Sequence, residues 1–379
     1  MAKNRFKKVM GWLHLWLGLI SGTVLILVAI SGCILSFEAE LEPVLFKERH
    51  FVKTFPNRLS ADSLLLIANS VYPGKKTSKL IINAEPDRSA EARIGKGPEM
   101  KVVYIDPYTG KVLYKGLFQK QFFRVVRNVH RYLLLGETGK AITGFSCIIC
   151  LFLSISGIVI WWPANKSAIK QRFKIKWNAK SKRLNWDLHA VTGFYLSFFL
   201  ILITLTGIVM SYDWAENLIY KLADGKVQKE LTPKNLVRIK QAKPGVLQKI
   251  EDSMNALYPN AGRLNFNIPP KGGLAIMGQK ESEQLPPGCT DAAYFDSKTG
   301  QLIKQQPFAA VSLGTKIKKY VLPLHSGSIY GWGTKILAFA VSLFTVSLPV
   351  TGFLIWLGKR KKKKKPLAIK HTSKKLATV

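Results

Sequence analysis

Four stretches of this chain are apolar for roughly 20 residues or more, the length an α-helix needs to cross a bilayer, and this limits the fold more than any other feature. They lie near 11–37, 138–162, 186–212 and 332–357. Two polar regions separate them, 38–137 and 213–331, each long enough for a small domain with its own core. A basic loop, 163–185, joins the second span to the third, and a basic tail, 358–379, follows the fourth.

The net charge of +35 would suggest nucleic acid if it were spread over a soluble fold. Its distribution points elsewhere. Lys3, Arg5, Lys7 and Lys8, the loop 163–185 and the lysine-rich tail place 22 basic residues on one side of the spans. All acids except Asp187 fall in the two polar regions. Short basic segments stay cytoplasmic. The expected arrangement is therefore a multi-pass inner-membrane protein with both termini inside and both polar regions in the periplasm, the lysines also attracting anionic lipid. Residues 11–37 are too long for a signal-peptide core and are followed by Glu38, Glu40 and Glu42, so they read as a retained helix.

The spans repeat. With His14 set against His189, Gly18 meets Gly193, Gly22 meets Ser197, and Ser31-Gly32 meets Thr206-Gly207. With His130 set against His325, Gly136 meets Gly331, Lys140 meets Lys335, Ser156-Gly157 meets Thr351-Gly352, and Trp161 meets Trp356. The polar regions agree too, through Tyr104-Ile-Asp-Pro-Tyr-Thr-Gly110 and Tyr294-Phe-Asp-Ser-Lys-Thr-Gly300. The reading is an α-helical four-span bundle with two α+β domains, made by internal duplication about an axis along the membrane normal. Each domain is predicted as a helix followed by strands: 60–72 with Ser60 as N-cap, then 78–84, 91–95 and a hairpin at 101–115. The second set is 246–258, 263–268, 273–278 and 291–304.

Four of the six histidines sit at matched positions; His50 and His371 have no counterpart and read as surface residues. His14 and His189 each lie six residues inside a basic anchor, Lys8 or Arg183, which is roughly 9 Å along a helix. Polar residues at such depth are costly and usually functional. Gly18, Gly22, Gly193 and Ser197 fall on the histidines' own faces, as a flat macrocycle would require. Helix packing through GxxxG is the alternative. His130 and His325 precede spans two and four, whose helices must either project outward or break near 136–139 and 331–333.

Zinc would prefer clustered His, Cys and carboxylate ligands, and no such cluster is present. Two matched histidine pairs suit two bis-histidine haems b, with His14 paired to His189 inside and His130 to His325 outside, wiring one membrane face to the other. Lys8 and Arg183 inside, and Arg127 and Arg131 outside, are candidate partners for propionates, as are Lys140 and Lys335. Cys147 and Cys150 have CxxC spacing, but mid-span they read as inert small hydrophobes. No GxGxxG or Walker A loop is present, so electrons would come from quinol or a redox partner protein.

Leu-His-x3-Gly with a downstream Ser/Thr-Gly, His-Arg-x-Leu-x2-Gly, Trp-Trp-Pro and Tyr-x-Asp-x2-Thr-Gly occur here in order over roughly residues 5–360. This set resembles the PepSY-associated transmembrane family, whose relatives include inner-membrane ferrisiderophore reductases such as ferrioxamine reductases. The resemblance implies haem ligands at His14, His189, His130 and His325, and reduction of a ferric siderophore in the periplasm to release Fe(II). His325-Ser departs from the His130-Arg pattern. A non-redox anchored protein that binds peptides or regulates a protease is the rival reading, and siderophore transport is a third.

Overall fold

The computed structural model describes residues 2–163, 169–227, 232–237, 243–269, 273–282 and 284–363. His371 and most of the lysine tail lie outside them, as do residues 164–168 of the basic loop.

The same order of elements occurs twice. The first half runs α1 (Ala2–Ser36), α2 (Ala61–Val71), β1 (Thr77–Ile82), β2 (Ala90–Ile94), β3 (Lys101–Ile105), β4 (Val112–Leu117), α3 (Phe122–Tyr132) and α4 (Gly136–Trp161). The second runs α5 (Ser181–Ser211), α6 (Val246–Leu257), β5 (Leu264–Asn267), β6 (Ile276–Glu281), β7 (Thr290–Phe295), β8 (Leu302–Gln306), α7 (Leu313–Ser326) and α8 (Trp332–Lys363). Among the described residues, α1, α4, α5 and α8 are the helices long and apolar enough to cross a membrane.

Strand β2 alternates buried and half-buried residues along its length, whereas Val102–Ile105 of β3 and Leu80–Ile82 of β1 are buried without a break, because both faces of the sheet are covered there. Ser60 caps α2 by accepting the Ser63 N–H at 3.1 Å. Strand β6 begins three residues later than the sequence pattern suggests, because the segment before it supplies a bridge between Leu274 and Lys234 instead.

The expectation of a separate core for each polar region needs correction. The strands form one antiparallel sheet in the order β4-β3-β2-β1-β5-β6-β7-β8. Strand β1 pairs with β5, Leu80 opposite Phe266. Either half alone would leave a long unpaired edge at β1 or β5; joining them removes both. One core serves both halves, with Leu64, Leu80 and Val103 from the first beside Leu247, Ile250, Met254, Phe266 and Phe295 from the second. The two helices also cap each other. Asp62 accepts the N–H groups of Leu247 (3.2 Å) and Gln248 (2.7 Å), and the Gln248 side chain accepts the Ala61 N–H at 2.9 Å.

Helices α2 and α6 cover one face of the sheet. On the other, Tyr104 and Phe118 meet the segments running toward the bundle: His50 packs edge-on to Tyr104 at 5.0 Å, and Arg124 of α3 lies over Phe118 at 4.5 Å. His50 is therefore not a surface residue; it is half-buried between Tyr104 and Glu42.

The chain breaks between α3 and α4, with Leu133, Leu134 and Gly136 at positive φ. It breaks again between α7 and α8, at Gly327 and Gly331. These turns settle which way the overlong segments behave. They fold α3 and α7 back so that each lies against a spanning helix, α3 on α1 and α7 on α5.

Candidate metal centre

Each of the four matched histidines meets a Ser/Thr-Gly pair on a neighbouring helix. His14 Nδ1 is 2.8 Å from Ser156 Oγ, and His189 Nδ1 is 2.9 Å from Thr351 Oγ1. His130 Nδ1 is 3.2 Å from Ser31 Oγ and 2.9 Å from the Val28 carbonyl. His325 Nδ1 is 3.1 Å from Thr206 Oγ1 and 3.0 Å from the Ile203 carbonyl.

The carbonyl contacts fix the tautomer of the His130 and His325 rings. A carbonyl only accepts, so His130 and His325 carry their proton on Nδ1. The hydroxyls facing His14 and His189 donate their own hydrogen to helix carbonyls, Ser156 to Leu153 and Thr351 to Ser347. With their hydrogens so placed, these hydroxyls accept from Nδ1–H. All four rings are left with a lone pair on Nε2, the form in which imidazole binds a metal.

The glycine of each pair explains how the ring fits. A Cβ added to Gly157 would stand 3.5 Å from His14 Cε1, and one on Gly352 would stand 3.2 Å from His189 Cε1. For Gly32 and His130 the distance is 3.3 Å, and for Gly207 and His325 it is 3.5 Å. The imidazole lies on bare helix backbone in every case.

The rings then meet in pairs. His14 and His189 have centroids 6.4 Å apart with planes at 86°; His130 and His325 are 6.2 Å apart at 74°. A metal–nitrogen bond of about 2 Å and a ring radius of about 1.2 Å would put two imidazoles on opposite sides of one metal about 6.4 Å apart. Among the described residues, no group of three or more His, Cys, Asp or Glu side chains is placed to hold a metal ion. Each pair would offer two imidazoles and no third side chain among the described residues, a donor set suited to a metal whose other positions are filled by a macrocycle.

The remaining residues singled out in the sequence lie as follows. Gly18 faces Leu153 (3.8 Å from an added Cβ), Gly22 faces Pro349 (3.2 Å) and Gly193 faces Leu348 (3.7 Å), all helix-packing contacts. Ser197 is buried and donates to the Gly193 carbonyl. Arg127 pairs with Glu38, Lys335 with Glu40, Arg183 with Asp187 at 2.9 Å and Lys140 with Glu137 at 3.7 Å. Arg131 and Lys8 are exposed, Arg131 reaching the Met210 carbonyl at 3.4 Å. Cys147 donates to the Thr204 carbonyl and packs beside Gly207; it forms no disulfide with Cys150.

The Ser/Thr-Gly pairs are the site residues that sequence reasoning left without a role. Their signal was available: one pair per span, in register with one histidine per pair.

Four apolar helices long enough to cross a bilayer, with paired half-buried histidines between them, define a multi-pass membrane protein. The model of the PepSY-associated TM region matches residues 11–359, and the chain belongs to that family. A comparison with curated proteins finds no significant match.

Proposed function

We propose that this chain is a haem-containing inner-membrane reductase that passes electrons to a ferric siderophore on the sheet side, releasing Fe(II). The observation that carries the reading is the double imidazole pair, each ring held at Nδ1 and each facing its partner at a centroid distance of 6.4 or 6.2 Å. The second support is placement. Fourteen residues of α1 separate His14 from Val28, whose carbonyl accepts from His130, so the pairs stand roughly 21 Å apart along the helix, near opposite faces of a roughly 30 Å hydrocarbon core.

In this reading His14 with His189, and His130 with His325, hold one haem b each, which supplies one-electron Fe(III)/Fe(II) chemistry. The chain's own part is positional. Ser156, Thr351, Ser31 and Thr206 hold the rings in one tautomer and orientation, the glycines let the rings approach the helices, and the apolar spans keep water out. Exposed Arg131 and Lys8 are the basic side chains available to meet propionates. Basic segments on the opposite side from the sheet support cytoplasmic termini and a periplasmic sheet. Each polar region carries six more basic than acidic residues, which favours anionic ferric complexes. Reduction releases iron because Fe(II) binds hard oxygen ligands less well than Fe(III).

The test is a spectrum of the purified protein before and after dithionite, with a pyridine haemochrome count. The expected result is a sharp b-type α-band and two haems per chain. No band on reduction would sink the reading and leave the peptide-binding alternative. A band without dithionite-dependent release of Fe(II) from a ferric hydroxamate would leave electron transfer but remove this substrate.

A further inference from the structure

The two halves differ at one place that the pairing of histidines does not explain. In α5 the residues Leu188–Thr192, which include His189, form a π-turn; the matching stretch of α1 around His14 is regular α-helix. Isolated π-turns inside α-helices concentrate at functional sites. Beside this turn, between α5 and α8, a groove of about 640 Å³ opens. That volume lies within the range of small-molecule sites.

The groove's lining suits one class of ligand. Val191, Tyr195 and Phe344 form apolar walls, and none of its lining residues is charged. Ser347 and Thr351 add hydroxyls on the α8 side. Thr351 is also the residue that accepts from His189, so the groove and the inner histidine pair share a wall. The basic loop adds to the lining through Phe173, Ile175 and Trp177. This part of the loop is pinned by Asp187, the one acid on the basic side. Its carboxylate accepts the Lys176 N–H at 3.3 Å while paired with Arg183. Phe173 is held as well, edge-on to Trp161 at 4.8 Å.

We propose that this groove seats the ring of a membrane quinol, the electron donor to the His14–His189 side. The inference rests on the reductase reading. A quinol carries a flat apolar ring with two hydroxyls, matching apolar walls with a few hydroxyl partners at membrane depth. Oxidation of one quinol to quinone gives up two electrons and two protons. The electrons reduce two ferric ions of the substrate, one each, and the protons leave to the basic side.

The test uses Ser347→Trp. Ser347 is exposed at the groove wall, and its carbonyl, which Thr351 uses, is unaffected. With the full-length haem-loaded protein in detergent, a short-chain ubiquinol should reduce the variant about tenfold more slowly than wild type, a loss of about 1.4 kcal/mol. Haem content and the dithionite-reduced spectrum should not change. A second readout needs no haem: a short-chain ubiquinone should quench the Trp177 fluorescence, taken as the difference between wild type and Trp177→Phe, and in Ser347→Trp, read as the difference from the same variant also carrying Trp177→Phe, that quenching should weaken. Unchanged quinol reduction together with no quenching at Trp177 overturns the groove assignment while leaving the haem reading intact. Loss of haem from Ser347→Trp also overturns it, by assigning the space to the macrocycle. Absence of haem from wild type removes the reductase reading, and the quenching then decides quinone binding alone.

Discussion

Thr351 accepts the Nδ1–H of His189 at 2.9 Å while its own hydroxyl hydrogen goes to the Ser347 carbonyl at 2.8 Å. The hydroxyl is a relay of fixed polarity. Replacing Thr351 by Val keeps the shape and removes the acceptor. Partners that orient a metal-binding histidine matter by about 10- to 100-fold in affinity. On the proposed haem reading, Thr351→Val should weaken haem retention at the inner pair by that order, read by competition with apomyoglobin, while the outer pair is unaffected.

Gly352 tests the packing of the same ring. An added Cβ already stands 3.2 Å from His189 Cε1, so a branched side chain must displace the imidazole. Gly352→Val should lower the haem count from two per chain to one and leave a single step in a potentiometric titration. Two remaining steps would show that the ring moves aside without losing its ligand role.

Leu134 carries strain. It has φ of 61° in the turn between α3 and α4, whereas the positive-φ residues of the matching turn between α7 and α8 are the glycines Gly327 and Gly331. Left-handed backbone costs a branched L-residue about 1–2 kcal/mol. Leu134 is exposed, so Leu134→Gly removes little burial and should stabilise the protein by up to about 1 kcal/mol, read as a higher unfolding temperature.

Asp296 anchors the β7–β8 hairpin. Burial pushes its carboxyl up, but the N–H groups of Lys298, Val237, Thr299 and Leu236 outweigh this and hold it below the usual carboxylate range. A depressed folded value contributes stability above the unfolded value and loses it as pH falls through the folded one. Asp296→Asn should cost about 1–3 kcal/mol near neutral pH, and the difference should shrink in acid below the normal Asp range.

Lys79 stands on the face of the sheet turned away from α2 and α6, in the strand that joins the halves. Burial, then Arg93 and Arg263, push its ammonium down to about 8, with Glu91 and Glu281 opposing. The unfolded chain then binds more protons than the folded one between about 8 and the ordinary lysine value, so stability rises with pH across that window. Lys79→Met should raise the melting temperature by a few degrees at pH 7, and the gain should vanish above about pH 10. Equal gains at both pH values would assign the effect to packing instead.

The four histidines of the candidate site are legible in the sequence. His14, His189, His130 and His325 stand out because the repeat places them, and the structure brings them together two by two at 6.4 and 6.2 Å. The hairpin at Asp106 is equally local: Asp106 accepts from Tyr108 N–H and from the Thr109 hydroxyl, contacts within three residues. The small residues Gly18, Gly22 and Gly193 were less legible. Their spacing shows which face of the helix they share, but not whether that face meets a ring or Leu153, Pro349 and Leu348.

The sequence by itself determined four apolar spans, the helices and strands between them and the matched depth of four histidines, because periodicity and position along one helix are local properties. Only the tertiary structure decided that the strands merge into one sheet through β1 and β5, that α3 and α7 fold back at their turns, and that each histidine docks on a Ser/Thr-Gly pair of another helix. Those choices depend on which surfaces pack together across 99 to 162 residues of chain, as His130 does with Ser31 and His189 with Thr351, and no local pattern carries that information.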